Sequence, residues 1–164
     1  DVTYIYNEAY DQTNTSKSLL KALRNSHESG VLWLNGDVVF DARVLERISE
    51  RIKNEKSFVC VNTAAVGEEE VKYTVNSSGF INALSKRVDN ALGEAVGINF
   101  ISSHHKLAAI KNLEACADND YFERGLELAI EREGIEIEPI DISDLFAVEV
   151  DFQADLDRAN SQLN

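Results

Sequence analysis

The chain has 164 residues, with 29 Asp and Glu against 16 Lys and Arg and a formal net charge of −13. That length suits one domain able to bury its own core without a disulfide or structural metal. The acidic balance argues against nucleic acid or an acidic membrane as partner, because neutralising a polyanion takes clustered Lys and Arg; one small phosphate, held by a divalent cation and one or two lysines, stays compatible.

In chain order, Val2, Tyr4 and Tyr6 alternate as a short strand does, and a polar loop follows over residues 7–14. Thr15 or Ser16 can cap a helix with Leu19, Leu20 and Leu23 on its apolar face, ended by residues 25–30. VLWL at 31–34 suits a strand covered on both faces. Residues 42–54 place Val44, Leu45, Ile48 and Ile52 on one side of a surface helix, with Asp41 as its N-cap, and residues 57–61 return to strand. This strand and helix alternation predicts an α/β domain with a mixed, mostly parallel sheet and helices on both faces.

Residues 71–75 and 80–84 flank Asn76-Ser77-Ser78-Gly79 and predict an inserted β-hairpin. A strand over 94–101 follows, then helices over 106–117 and 121–133, the second stopped by Gly134. Strands over 135–140 and 145–150 and a helix over 153–163 complete the chain as a single domain over 1–164. No stretch is long and apolar enough to span a membrane, and no basic segment leads into an apolar one at the start. Cys60 and Cys116 have neither metal nor redox spacing, which predicts reduced packing residues in a cytoplasmic protein. The chain contains no methionine and starts with strand-like alternation, which predicts a piece that begins inside a fold.

Two acidic places carry chemistry. In VLWLNGDVVFD, Asp37 follows an apolar strand at the carboxyl edge of the sheet, where ligands of open α/β folds bind, and Gly36 lets a ligand or the chain itself come close. Asn35-Gly36-Asp37 also reads as a plain turn. In FAVEVDFQADLDRA, Glu149 and Asp151 share one strand face, Asp151 stands where strand gives way to helix, and Asp155 lies in that helix. Glu149 equally suits a solvent-facing strand position. Two carboxylates from separate strand ends make an oxygen-rich site of the kind Mg²⁺ takes, completed by phosphates and water. Trp33 reads as core, His27 as loop, and Glu68-Glu69-Glu70 as a solvated turn. His104 and His105 point in different directions on a helix and form no metal pair or dyad, and no Ser, His and Asp arrangement is legible.

The ordered series NEAYDQTNTSKSL, LNGDVVFD, EEEVKYTVNSSGFINALSK, GEAVGINFIS and VEVDFQADLDRA resembles the phosphocholine and sugar-1-phosphate nucleotidyltransferases, over nearly the whole chain. The resemblance implies a glycosyltransferase-A-like fold and transfer of a nucleotidyl group from an NTP to a phosphorylated small alcohol or sugar, with release of pyrophosphate and Mg²⁺ as cofactor. It implies Asp37 and Asp151 as metal ligands and catalytic residues, Lys86 on the acceptor phosphate with help from Lys72, and Glu94 facing the acceptor. Asn14, with Ser16 or Ser18, would lie near the nucleotide, although these residues equally suit helix capping. The family's glycine-rich loop with Arg and Lys is absent from 1–164, so the resemblance also implies a strand and loop preceding Asp1. Ala147 stands where phosphocholine-type relatives often have an aromatic, which weakens the case for choline. Two other readings are a metal-dependent glycosyltransferase of the same fold, separated by pyrophosphate release, and a catalytically silent binding or regulatory domain, which the missing loop favours and the retained acid pair opposes.

Overall fold

β6 (Gly93–Ile101) is the axis of the molecule, with all of its residues but Glu94 buried, in keeping with a sequence that is apolar apart from Glu94 and Asn99. The computed structural model describes residues 2–64 and 66–163. On one side of β6 runs β3 (Phe58–Asn62), and beyond β3 lies β7 (Glu138–Asp141). On the other side, β1 (Val31–Leu34) pairs with the second half of β6, and β4 (Lys72–Val75) pairs with its first residues and continues to β5 (Ile81–Ser85). The expected hairpin is thus present, and the architecture is mixed α/β with helices on both faces.

The pairing sense corrects one expectation. Every pairing within the main sheet is antiparallel except that of β3 with β7, so the sheet is mixed and mostly antiparallel, not mostly parallel. β1 and β3 do run the same way, as a strand, helix, strand crossover demands, but β6 is inserted between them and runs against both. A long-range insertion of this kind leaves no mark in the local pattern of either strand. Residues 2–6 form no strand: they pair with nothing among the described residues, and Val2, Tyr4 and Tyr6 are exposed, so alternation had no partner to stabilise it.

One face of the sheet carries α1 (Thr15–Arg24), α3 (Ser103–Ala115) and α4 (Phe122–Glu133), which bury Leu23, Val61, Ile81, Ile101, Leu113 and Leu126 against it. Gly134 ends α4 in the left-handed conformation, with its N–H on the Ile130 carbonyl. The other face carries α2 (Arg43–Lys53), whose Val44 and Ile48 are fully buried on Phe58, Ile98 and Phe100. Those two side chains are each worth roughly 1.5–3 kcal/mol. Exposed ion pairs such as Arg47 with Asp144 are screened by water and add little, so apolar packing holds this charged helix. Beside α2, β2 (Val38–Phe40) and β8 (Ala147–Glu149) form a separate antiparallel ribbon, followed by α5 (Gln153–Leu163). β2 was not expected from sequence, because three residues are too few for a pattern. No helix of the described residues is long and apolar enough to cross a membrane, and both cysteines are free and buried.

Candidate active site

The β2 and β8 ribbon brings the two sequence-distant aspartates to one corner. Val38 pairs with Glu149, and beyond that pair the Val150 N–H donates to the Asp37 carbonyl at 3.0 Å. Continuing the register puts Asp37 opposite Val150 and Asp151 one step beyond. Both aspartates are exposed, and both raise the pKa of Glu149 between them. Burial is the larger cause of that rise, followed by the carboxylates of Glu70 and Asp37, while a hydrogen bond from Asn35 opposes it.

Asn35 is itself fixed from β6. Its N–H donates to the Gly97 carbonyl at 2.9 Å, and its Nδ2 donates to Glu149 Oε1 at 3.3 Å. Gly97 has φ of 70°, and a Cβ there would fall 2.8 Å from Asn35 Nδ2. Only glycine tolerates both the backbone angle and this approach, so β6 sets the position of the side chain that orients Glu149.

Asp151 and Glu149 line a cleft of about 370 Å³, with Glu70, Glu94, Asn62 and Arg158 among the other walls. Asp37 reaches this corner across the ribbon and is not a lining residue. Glu94 keeps one oxygen on the Gly67 N–H at 2.9 Å, which folds the 67–70 segment over the cleft. Glu70 belongs here too, and so corrects the reading of 68–70 as a solvated turn: burial, then Glu94, raises its pKa. Asp155, by contrast, is committed to its helix. Its Oδ2 accepts the N–H of Phe152 at 3.0 Å, which closes the first turn of α5.

A second hollow, about 550 Å³, opens between the β5 end and the start of α4, lined by Lys86, Arg87, Tyr121, Glu123 and Arg124 among others. Lys86 Nζ sits 5.2 Å above the Tyr121 ring and 3.9 Å from exposed Glu69, so no close ion pair consumes it. Glu123 is the residue here that sequence reading missed. It is buried, Oε2 has no hydrogen-bond partner among the described residues, and burial pushes its pKa to about 7, with Glu149 raising it further and Lys86 opposing. A signal existed: Glu123 shares the apolar stripe of α4 with Leu126 and Ile130 at helical spacing.

The remaining expected site residues are placed as follows. Lys72 Nζ donates to the backbone carbonyls of Glu68 at 2.8 Å and Lys86 at 3.1 Å, and so staples the hairpin to the segment before it. Asn14 caps α1, accepting the Thr15 N–H at 2.7 Å, and its own N–H reaches the Asp118 carbonyl. It therefore ties α1 to the loop before α4 and lines neither hollow. Asp41 accepts the Arg43 N–H at 2.9 Å at the start of α2, in keeping with a capping role. Trp33 packs edge-on against Phe122, as a core residue does. His105 Nδ1 lies 2.9 Å from Ser57 Oγ, but that hydroxyl is buried and already accepts the Ser102 N–H, so the pair anchors α3.

For Mg²⁺ the donors fit in kind. They are hard carboxylate oxygens, and the crowding of Asp37, Asp151 and Glu70 around Glu149 is a repulsion that a divalent cation relieves. Among the described residues no group of three or more His, Cys, Asp and Glu side chains is arranged to hold a metal. A cation at this corner would take the rest of its shell from water and ligand phosphates.

No protein-family model matches the chain, and no curated protein matches it in sequence. Solved structures do match in fold. The inositol-1-phosphate CTP transferase from T. maritima has a TM-score of 0.76 at 18% identity, over 96% of this chain and 63% of its own. The CTP:phosphocholine cytidylyltransferase from Streptococcus pneumoniae has a TM-score of 0.69 at 12% identity, over 96% and 67%. A UDP-glucose pyrophosphorylase complexed with UDP-glucose has a TM-score of 0.69 at 9% identity, over 93% and 62%. The chain thus has the fold of these nucleotidyltransferases and spans less than two thirds of the length of the first.

Proposed function

We propose that this chain carries the metal and acceptor side of a nucleotidyltransferase that moves a nucleotidyl group from an NTP to a phosphorylated small alcohol or sugar. What supports the reading is that Asp37 and Asp151 come from distant segments to neighbouring positions at the end of the β2 and β8 ribbon, where both raise the pKa of Glu149 in a corner crowded with carboxylates. Asp37 and Asp151 would hold Mg²⁺ there, and the cation would supply the positive charge that offsets repulsion between the NTP and acceptor phosphates. An acceptor phosphate oxygen then forms a bond to the α-phosphorus while the bond from that phosphorus to the bridging oxygen breaks, and pyrophosphate leaves with the electron pair. No covalent enzyme intermediate is needed.

The second hollow supplies what an acceptor needs. Lys86 offers a cation for the phosphate, and Tyr121 an aromatic face for the rest of the molecule. Below about pH 7 Glu123 is neutral, so it presents a hydroxyl donor and does not repel the incoming phosphate. Activity is measured on the intact protein.

The test is a screen of four NTPs against phosphocholine and a panel of sugar phosphates, with pyrophosphate release as readout. Release that depends on both substrates and on Mg²⁺ supports the reading; consumption of a sugar nucleotide without pyrophosphate would replace it by glycosyl transfer. In the active pairing, Lys86→Ala should raise the acceptor KM about tenfold or more, the scale of a charge-assisted hydrogen bond. Lys72→Ala should instead cost about 1 kcal/mol of stability by freeing two backbone carbonyls, with a smaller change in KM. Steady-state kinetics beside thermal melts separate the two lysines, and equal KM effects would refute the division of labour.

A further inference from the structure

The cleft beside Asp151 poses an electrostatic problem that the metal alone does not solve. Glu70, Glu94, Glu149, Asp151 and Asp155 line it, and the one cationic side chain among its lining residues is Arg158, on α5. A phosphate drawn to a cation between Asp37 and Asp151 would meet these carboxylates on every other side. Arg158 is spent on little. Among the described residues its guanidinium makes one hydrogen bond, 3.3 Å from Nη2 to Asp155 Oδ1, and its side chain is 60% exposed, so the pair is weakened by solvent and readily exchanged. Asp155 meanwhile keeps its other oxygen on the Phe152 N–H, which fixes the first turn of α5 whether or not the arginine stays.

The helix is built for this. α5 follows Asp151 directly, buries Ala159, and leaves Phe152 and Leu156 exposed, while Phe152, Asp155 and Arg158 line the cleft at successive i,i+3 positions. One helix face thus spans the cleft, and its third member is a guanidinium whose planar fork suits two phosphate oxygens. We infer that Arg158 is a phosphate-contacting residue, which leaves Asp155 to bind a phosphate of the metal-bound ligand in this cleft. The inference rests on the nucleotidyltransferase reading of the same corner.

The experiment is isothermal titration of the intact protein with inorganic pyrophosphate and, separately, phosphocholine, each in excess Mg²⁺, with Mg²⁺ alone as a third titration. Arg158→Ala should weaken pyrophosphate or phosphocholine about tenfold while leaving Mg²⁺ affinity unchanged or tighter, because a positive charge has been removed from beside the carboxylates. Loss confined to pyrophosphate assigns the arginine to the nucleotide side, and loss confined to phosphocholine to the acceptor side. Asp155→Asn keeps an oxygen for the Phe152 N–H but no longer competes for Arg158, so anion binding should be as tight or tighter. If the unaltered protein takes up both anions and Arg158→Ala takes them up equally well, the arginine assignment alone falls. It also falls if that variant loses anion and Mg²⁺ binding together with a lower melting temperature, since the side chain is then structural. If the unaltered protein binds neither anion with Mg²⁺, the reading of the whole corner falls with it.

Discussion

Asp37→Asn and Asp151→Asn, each made in the intact protein, should lower turnover by roughly two to three orders of magnitude while moving the melting temperature little. Each change removes an anionic metal ligand, and Lewis-acid stabilisation of transition-state charge is worth several kcal/mol, with about 1.4 kcal/mol per factor of ten. Stability should hardly notice, because both side chains are exposed and neither packs in the core. Neutralising one carboxylate in this corner also relieves repulsion, so the pKa of Glu149, raised in part by Asp37 and Asp151, should move down in both variants. Carboxyl NMR titration of Glu149 reads that shift independently of activity. Near-normal turnover with Mg²⁺ as the only added metal would reject the assignment of whichever residue was changed.

The placement of the two aspartates at one corner was legible because each follows an apolar strand or stands where a strand becomes a helix, and such ends gather at a sheet edge whatever the topology. The local elements were legible for a similar reason. Val44 and Ile48 repeat at helical spacing, residues 76–79 hold turn residues between two apolar runs, and Gly134 stops α4 where glycine can turn left-handed. What stayed hidden depends on partners distant in sequence. The insertion of β6 between β1 and β3 decides the antiparallel sense of the sheet, yet neither β1 nor β3 carries a residue that names its neighbour. Glu70 looked like one of three solvated acids until Gly67 was tied to Glu94 across the cleft. Asn14 and Lys72 show the converse. Their residue types suited substrate contacts, and the fold spends both on backbone groups.

Glu123 provides the second large effect, and it concerns stability. In the unfolded chain its carboxyl titrates near the ordinary glutamate value of 4.5, whereas in the fold burial carries it to about 7. A carboxyl with a raised folded-state pKa contributes its full stability below the unfolded value and loses it as pH rises toward the folded one, because the unfolded chain sheds the proton first. Between about pH 4.5 and pH 7.5 the fold should therefore lose roughly 3 kcal/mol on account of this residue. Glu123→Gln keeps the shape and a donor but cannot ionise, so the variant should match the unaltered protein near pH 4.5 and exceed it by roughly that margin at pH 7.5. The comparison must be a difference at each pH. Glu70 and Glu149 are raised as well, and depend on pH in the same sense. His105 works in the opposite direction: burial lowers its pKa, so its contribution fades as pH falls below the ordinary histidine value. These slopes are common to both proteins and cancel in the subtraction, apart from the share of Glu149, which feels Glu123 directly. Urea melts at half-unit steps from pH 4.5 to 8 measure the difference. A gap that does not grow with pH would mean that Glu123 is ionised and compensated in the fold, and the second hollow would then present a carboxylate to any phosphate that Lys86 attracts.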